Sequence, residues 1–507
     1  MPDQQKTLAE GRYRVRKASL DKDLRKIQHL EDETRATSFG LLAPGIAIIF
    51  LALTALYAAL QAGAQTEAAV LVAAAVLAGY MALNIGANDV ANNVGPAVGA
   101  RAMTMVGALI IAAFFESAGA LLAGGDVVKT ISKGIVSPAA VADGRIFIIA
   151  MMAALCAAAV WVNLATWIGA PVSTTHAVVG GVVGAGISAV GISAVNWSVM
   201  AAIAASWVIS PFMGGAIAAL FLAVVKANIV YRDDKIAAAR VWVPGLVALM
   251  AACFTAYLMV KGVSKIYHPS TLQIVLVSLA VFILSFLALK PLIRRQSRGL
   301  ENRNQSLRKL FRLPLIVSAA LLSFAHGAND VANAVGPLAG ILHALETGEV
   351  SGKVPLPIWI MIIGAIGISL GLFLFGPRLI RTVGEQITRM NPIRAFCVAL
   401  SAAITVLVAS WLGLPVSSTH IAVGAVFGVG FYREHFIAHS KIRRRYLLRK
   451  GRDPDADIEK KMNDQDVIRR KLVRRSHFTM IVGAWVITVP AAAMLAAITY
   501  AILQLVM

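Results

Sequence analysis

The sequence predicts an all-α polytopic membrane protein with inverted-topology repeats, broken or re-entrant helices and about 12–13 transmembrane segments. Three observations predict it. The 507 residues are 58% hydrophobic with a mean hydropathy of +0.74 and only 14% charged, more apolar surface than a soluble domain can bury. The apolar residues gather in runs of about 20, the length of a helix crossing the bilayer, without the strict alternation of a β-barrel. Finally, Gly86-Ala87-Asn88-Asp89-Val90-Ala91-Asn92-Asn93-Val94-Gly95-Pro96 recurs as Gly327-Ala328-Asn329-Asp330-Val331-Ala332-Asn333-Ala334-Val335-Gly336-Pro337.

In chain order, residues 1–38 read as a basic cytoplasmic tail holding Arg12, Arg14, Arg16, Lys17, Lys22, Arg25 and Lys26. Being polar, this stretch offers no cleavable signal peptide, and the first apolar span is expected to act as its own insertion signal. That extra span occupies 39–64. Repeat 1 covers 65–226, with apolar runs at 67–87, 102–124, 145–169, 171–195 and 198–226. Residues 227–312 form connector spans (241–261 and 271–292) and a basic linker. Repeat 2 covers 313–505, with runs at 313–333, 357–376, 393–413, 415–431 and 478–505 and a charged loop at 432–477.

The net charge of +21 sits mostly in tails and loops, so it reads as a topology signal and not as a nucleic-acid footprint. With the N-terminus inside, the loops 227–240, 293–312, 377–392 and 432–477 all fall inside, the last with about fifteen Lys and Arg. The C-terminus then ends outside. Seven crossings separate the starts of the two repeats, so the repeats are expected to be inverted. Basic residues at the interface also suit anionic lipid headgroups. Cys156, Cys253 and Cys397 stand singly, with neither metal-ligand spacing nor a disulfide framework, and read as packing residues.

An intramembrane Asp costs roughly 2.5–3.5 kcal/mol on insertion scales, so meeting that cost twice in matching positions points to a polar site. A carboxylate beside amide oxygens is hard-oxygen ligation, suited to Na⁺ or to a proton carried on the acid. The candidate cation residues are Asn88, Asp89, Asn92, Asn329, Asp330 and Asn333. The neighbouring Gly and Pro are expected to break the helix and free further carbonyl ligands. Set against this is a structural role, Asn and Asp bonding helices together.

A second pair has different chemistry. Pro171-Val172-Ser173-Thr174-Thr175-His176 matches Pro415-Val416-Ser417-Ser418-Thr419-His420. Pro followed by hydroxyl residues marks a helix start, where free N–H groups and hydroxyls favour an oxyanion. Two such starts meeting across the repeat axis could clasp one tetrahedral anion through Ser173, Thr174, Thr175, Ser417, Ser418 and Thr419. Packing of Ser and Thr between helices is the plainer alternative. Accessory candidates are His176 and His420, Thr130 and Thr382 at comparable places in the two repeats, and Glu116, a lone intramembrane acid with no counterpart near Ile368. The alternative for Glu116 is a structural pair with Lys129 or Lys133. The Trp207 segment of repeat 1 likewise matches the Trp485 segment of repeat 2.

These motifs resemble those of the inorganic phosphate transporter (PiT) family over about 67–505, in the GAND form of its sodium-coupled members. The resemblance implies phosphate held by the hydroxyl-bearing helix starts and Na⁺ near Asp89 and Asp330. The expected activity is therefore a cation-coupled symporter importing phosphate by alternating access, with co-transported Na⁺ or H⁺ and no resident cofactor. Its expected partners are phosphate, the cation and membrane lipids, with no nucleic acid and with a homo-oligomer left open. The expected place is a cell (inner or plasma) membrane. A sulfate or other oxyanion permease of the same fold is the nearest rival. An anion channel is disfavoured because deep aspartates repel a conducting anion. A membrane enzyme is disfavoured because adjacent, duplicated Ser and His do not make an oriented triad.

Overall fold

The computed structural model describes residues 41–63, 67–136, 141, 143–170, 172–348, 350, 356–382, 390–451, 453 and 475–507. The tail 1–38 and much of the loop 432–477 lie outside these residues. The chain divides into two compact units, Met1–Ile49 and Phe50–Met507. Among the described residues the second is built of helices and their links, and its only β feature is one isolated bridge between Val136 and Val195. All three cysteines are free thiols.

Helix α1 spans Leu41–Ala62. Repeat 1 is built from α2 (Ala68–Gly99), α3 (Met105–Ala123), the short α4 (Gly125–Lys129), α5 (Gly144–Ile168), α6 (Thr174–Val190) and α7 (Trp197–Val225). Helices α8 (Lys235–Lys261) and α9 (Thr271–Gln296) come next, and α10 (Asn304–Leu310) leads to the second repeat. Repeat 2 comprises α11 (Arg312–Thr347), α12 (Ile358–Leu374), α13 (Gly376–Thr382), α14 (Pro392–Trp411) and α15 (Ser418–His439), then α16 (Lys441–Arg449) and α17 (Arg475–Val506).

Ten of these helices are long and apolar enough to cross a membrane, or eleven if the bent pair at α15 and α16 is one span. Two predicted spans are shorter than expected: α6 and α12 have 17 residues each. At 1.5 Å per residue that is about 25 Å, less than the ~30 Å hydrocarbon layer. Helix α9 has none of its apolar window buried in the chain, so its surface is available to lipid.

The two repeats pack reciprocally. Helix α2 lies against α12 while α11 lies against α3; α6 lies against α17 while α15 lies against α7. Such an exchange of partners is what a pseudo-twofold axis between repeats produces. Glycine makes the closest contacts possible: a Cβ on Gly86 would overlap the carbonyl oxygen of Ile368, and one on Gly327 that of Glu116. Small residues are how membrane helices approach when lipid is as apolar as the side chains.

Contrary to expectation, the motif helices are not broken at their glycines: α2 and α11 run unbroken through both motifs, over 32 and 36 residues. Pro96 and Pro337 sit inside them. Each proline removes one donor, that to the carbonyl four residues back, on Asn92 and Asn333 respectively. One carbonyl per helix is affected, and the rest of the ladder continues. The interruptions fall elsewhere. Between α5 and α6 and between α14 and α15 the chain leaves the helix through left-handed Gly169 (φ 82°) and Gly413 (φ 68°). It re-enters at Ser173 and Ser417, whose hydroxyls accept from the N–H of His176 (3.1 Å) and His420 (3.3 Å).

Candidate functional site

The middles of α2 and α11 carry the two motifs, and the starts of α6 and α15 meet them. Asp89, Asp330 and Glu116 are each 1% exposed, and His326 is fully buried.

Asp89 is held by both helix starts at once. Its Oδ2 accepts from Thr174 Oγ1 at 2.8 Å and its Oδ1 from Thr419 Oγ1 at 3.1 Å, one hydroxyl from each repeat. Asn92 donates to Thr419 Oγ1 at 2.8 Å, and its counterpart Asn333 donates to Thr175 Oγ1 at 3.1 Å, so each motif reaches the helix start of the opposite repeat. Thr175 in turn donates to the Val416 carbonyl (3.0 Å).

Asn88 and Asn329 make their hydrogen bonds to other groups than the aspartates. Asn88 donates to Thr166 Oγ1 (2.9 Å), and Asn329 donates to Ser410 Oγ (3.0 Å) and the Leu414 carbonyl (3.1 Å). Asn329 also accepts from the Val416 N–H (3.2 Å). Asn88 also reaches the Ala170 carbonyl (3.4 Å), so the two amides clamp the links into α6 and α15 onto the motif helices. Ser173 and Ser417 are engaged as caps, so the hydroxyls nearest the aspartates are the threonines. Thr130 donates to the Gly413 carbonyl (2.7 Å), bracing the second link and making no hydrogen bond to either motif. The side chain of Thr382 lies outside the described residues.

The two halves differ at the second aspartate. By the symmetry of Asp89, Asp330 should receive hydroxyls from Ser418 and Thr175. Its oxygens instead accept no hydrogen bond, and Ser418 Oγ has no partner. What faces Asp330 is His326, one turn earlier on α11, with Nε2 at 2.9 Å from Asp330 Oδ2 and 3.7 Å from Asp89 Oδ2. This is ion-pair proximity without hydrogen-bond alignment. The other face of the ring, Nδ1, lies 3.3 Å from Glu116 Oε1, which accepts from Asn93 at 2.7 Å. Glu116 therefore does not pair with Lys129, which sits 3.5 Å from Asp126; the side chain of Lys133 lies outside the described residues.

His326 and Asn93 are the site residues that sequence reasoning missed. A signal was available: a histidine four residues before Asp330, inside an apolar run, shares its helix face.

Several buried oxygens lack a donor: Asn88 Oδ1, Asn93 Oδ1, both oxygens of Asp330, and Asn333 Oδ1. Unfilled acceptors of this kind fit a hard cation, which needs oxygen and no proton. Ligand atoms of Asp89, His326 and Asp330 lie within 4.8 Å of one another, close enough to share one ion. Three carboxyls and one imidazole are buried together here, an arrangement that is costly unless their charges are paired or neutralised. Beyond the threonines, His176 and His420 touch (ring centroids 4.4 Å), and Trp207 lies on His176 at 3.8 Å while donating to the Pro415 carbonyl.

Helices long and apolar enough to cross a membrane, packed in reciprocal repeats around a buried charged site, fit the class of polytopic transporters. The chain belongs to the phosphate transporter family, whose profile matches residues 85–496. It is 44% identical to a protein of Helicobacter pylori (strain J99) described as "Putative phosphate permease", across 94% of this chain and 98% of that one. It is 35% identical to a protein of Thermococcus kodakarensis of the same description, across 81% of this chain and 92% of that one. A solved structure titled "The sodium-dependent phosphate transporter" superposes with a TM-score of 0.74 at 35% identity, over 87% of this chain and all of that one.

Proposed function

We propose that this protein is a Na⁺-coupled symporter of inorganic phosphate working by alternating access, set in a cell membrane with its N-terminus in the cytoplasm. The observation that carries the reading is the double grip on Asp89 by Thr174 and Thr419. Those hydroxyls belong to helix starts suited to a tetrahedral oxyanion. While Asp89 is bare, it competes for their protons. A cation on Asp89 and Asp330 takes over the charge balance and releases the hydroxyls to donate to phosphate. Coupling then arises from one set of donors serving two acceptors in turn.

The cation ligands in this reading are Asp89, Asp330, Asn333 and Asn93, with Asn92 at the margin through its backbone carbonyl. The phosphate donors are Thr174, Thr175, Ser418 and Thr419, with Asn88 and Asn329 holding the loops. If net positive charge moves inward, the membrane potential assists by about 2.3 kcal/mol per charge per 100 mV.

The experiment is uptake of labelled phosphate into proteoliposomes under an inward Na⁺ gradient, an inward H⁺ gradient or neither, with sulfate as competitor. Na⁺-driven uptake indifferent to sulfate supports the reading. A second reading, proton coupling, is favoured by His326 lying between Glu116 and Asp330, where a proton could stand in for the ion. Uptake driven only by H⁺ would select it. Sulfate transport without phosphate transport would overturn both.

A further inference from the structure

A positively charged cavity lies away from the buried site, and nothing in the transport reading uses it. It has a volume of about 320 Å³ and is lined by Arg101, Gln305, Arg308, Lys309, Arg312 and Asn391, with no acid in its wall among the described residues. Among the described residues none of its four cations forms an ion pair.

Arg312 is the first residue of α11, and Asn391 caps α14 by accepting from the Arg394 N–H (3.0 Å). Two helix N-termini thus border the hollow together with the C-terminal ends of α2 and α10, so its positive charge rests on the four side chains. With Asn391 Oδ1 engaged as acceptor, its NH₂ is left to donate. Arg101 is the one non-glycine residue with positive φ (56°) among the described residues. A concave wall of converging cations and amides is how proteins take hold of clustered phosphates.

We propose that this cavity binds a phosphate-bearing polyanion: either a soluble polyphosphate or the headgroup of an anionic phospholipid. It falls on the side that the basic linker 293–312 assigns to the cytoplasm. Arg101 comes just after the end of α2 while Arg312 opens α11, so one ligand ties together the ends of the two motif helices. The site is independent of which anion is transported, and its test reads binding alone.

The full chain would be placed in nanodiscs of phosphatidylcholine, with Na⁺ and orthophosphate saturating the central site, and titrated calorimetrically with tripolyphosphate. The same titration would be run in discs containing phosphatidylglycerol. Two variants accompany it. Arg101→Gly removes a charge and suits the left-handed backbone, so it is not expected to harm folding. Arg308→Gln with Lys309→Gln removes two exposed charges. Tripolyphosphate binding in phosphatidylcholine that weakens about tenfold or more in either variant supports the proposal, tenfold being about the loss of one charge-assisted contact. If phosphatidylglycerol suppresses that binding in the wild type, the native occupant is the lipid headgroup; if it does not, the occupant is soluble. Absence of tripolyphosphate binding in phosphatidylcholine, or equal affinity in wild type and both variants, would overturn the proposal.

Discussion

His326 Nδ1 lies 3.3 Å from Glu116 Oε1, and the two residues come from opposite repeats. Neither has a counterpart in its own pseudo-symmetric position: Ile85 stands where His326 would be repeated, and Ile368 where Glu116 would be. Asn93, the third member of the contact, is matched by Ala334. Three departures from the internal repeat therefore meet at one point. They break the symmetry between the two aspartates, leaving Asp89 held by hydroxyls and Asp330 faced by an imidazole.

This contact should behave as a buried pair. Glu116→Gln and His326→Asn should each lower stability by about 3–5 kcal/mol if the partner is left charged, less if it neutralises. A double variant, Glu116→Leu with His326→Phe, should recover much of that loss without recovering transport. Thermal unfolding and phosphate uptake measured on all three variants check this. Full uptake by the double variant would show the pair to be structural only.

The aspartates should differ in what their loss does. Asp330→Asn removes a carboxylate with no hydroxyl donors and should abolish the Na⁺ dependence of phosphate uptake. Asp89→Asn also loosens Thr174 and Thr419, so both Na⁺ and phosphate affinity should fall. Binding isotherms for each ion in each variant separate the two patterns. Undiminished transport by both variants would rule out cation coupling through these residues.

Thr174→Val and Thr419→Val keep the shape and remove one donor each. A lost hydrogen bond to a charged acceptor costs about 1.5–3 kcal/mol, so the phosphate KM should rise roughly ten- to a hundredfold. Uptake as a function of phosphate concentration reads it directly. Thr130→Val should leave KM nearly unchanged, because Thr130 bonds the Gly413 carbonyl and not the motifs.

Ion removal should act on stability as well. Replacing Na⁺ by choline should lower the midpoint of thermal unfolding, since an ion bound only by the folded state stabilises it, by about 2.7 kcal/mol at a hundred times Kd. Phosphate should add its own increment only when Na⁺ is present. An equal phosphate effect in choline would remove the coupling scheme.

Close packing can be tested apart from function. Gly86→Ala and Gly327→Ala force a methyl group against the backbone of the opposite repeat and should cost about 1–3 kcal/mol or more. Gly245→Ala in α8 meets nothing within 4 Å and should stabilise by roughly 0.5–1 kcal/mol. Unfolding midpoints of the three variants decide it.

Membrane class, duplication and the two motif pairs were legible along the chain, because all three are local. Hydropathy over about 20 residues sets a span, and a repeated string needs no partner to be recognised. The helix starts at Ser173 and Ser417 were legible too, since a cap is a contact across three residues. Three-dimensional packing supplied the rest. The glycines and prolines of the motifs read as a break, yet α2 and α11 run through them, because glycine there admits the opposite helix and proline removes a single donor. Asn88 and Asn329 read as ligands, and packing adds a second task the sequence did not show, since their NH₂ groups bond Thr166 of α5 and the Leu414 carbonyl. His326, an isolated histidine in an apolar run, acquires a role only once α3 and α2 are packed against α11. Contacts across two repeats depend on which faces meet, and pairing of faces is a property of the whole packed chain, invisible to any window along it.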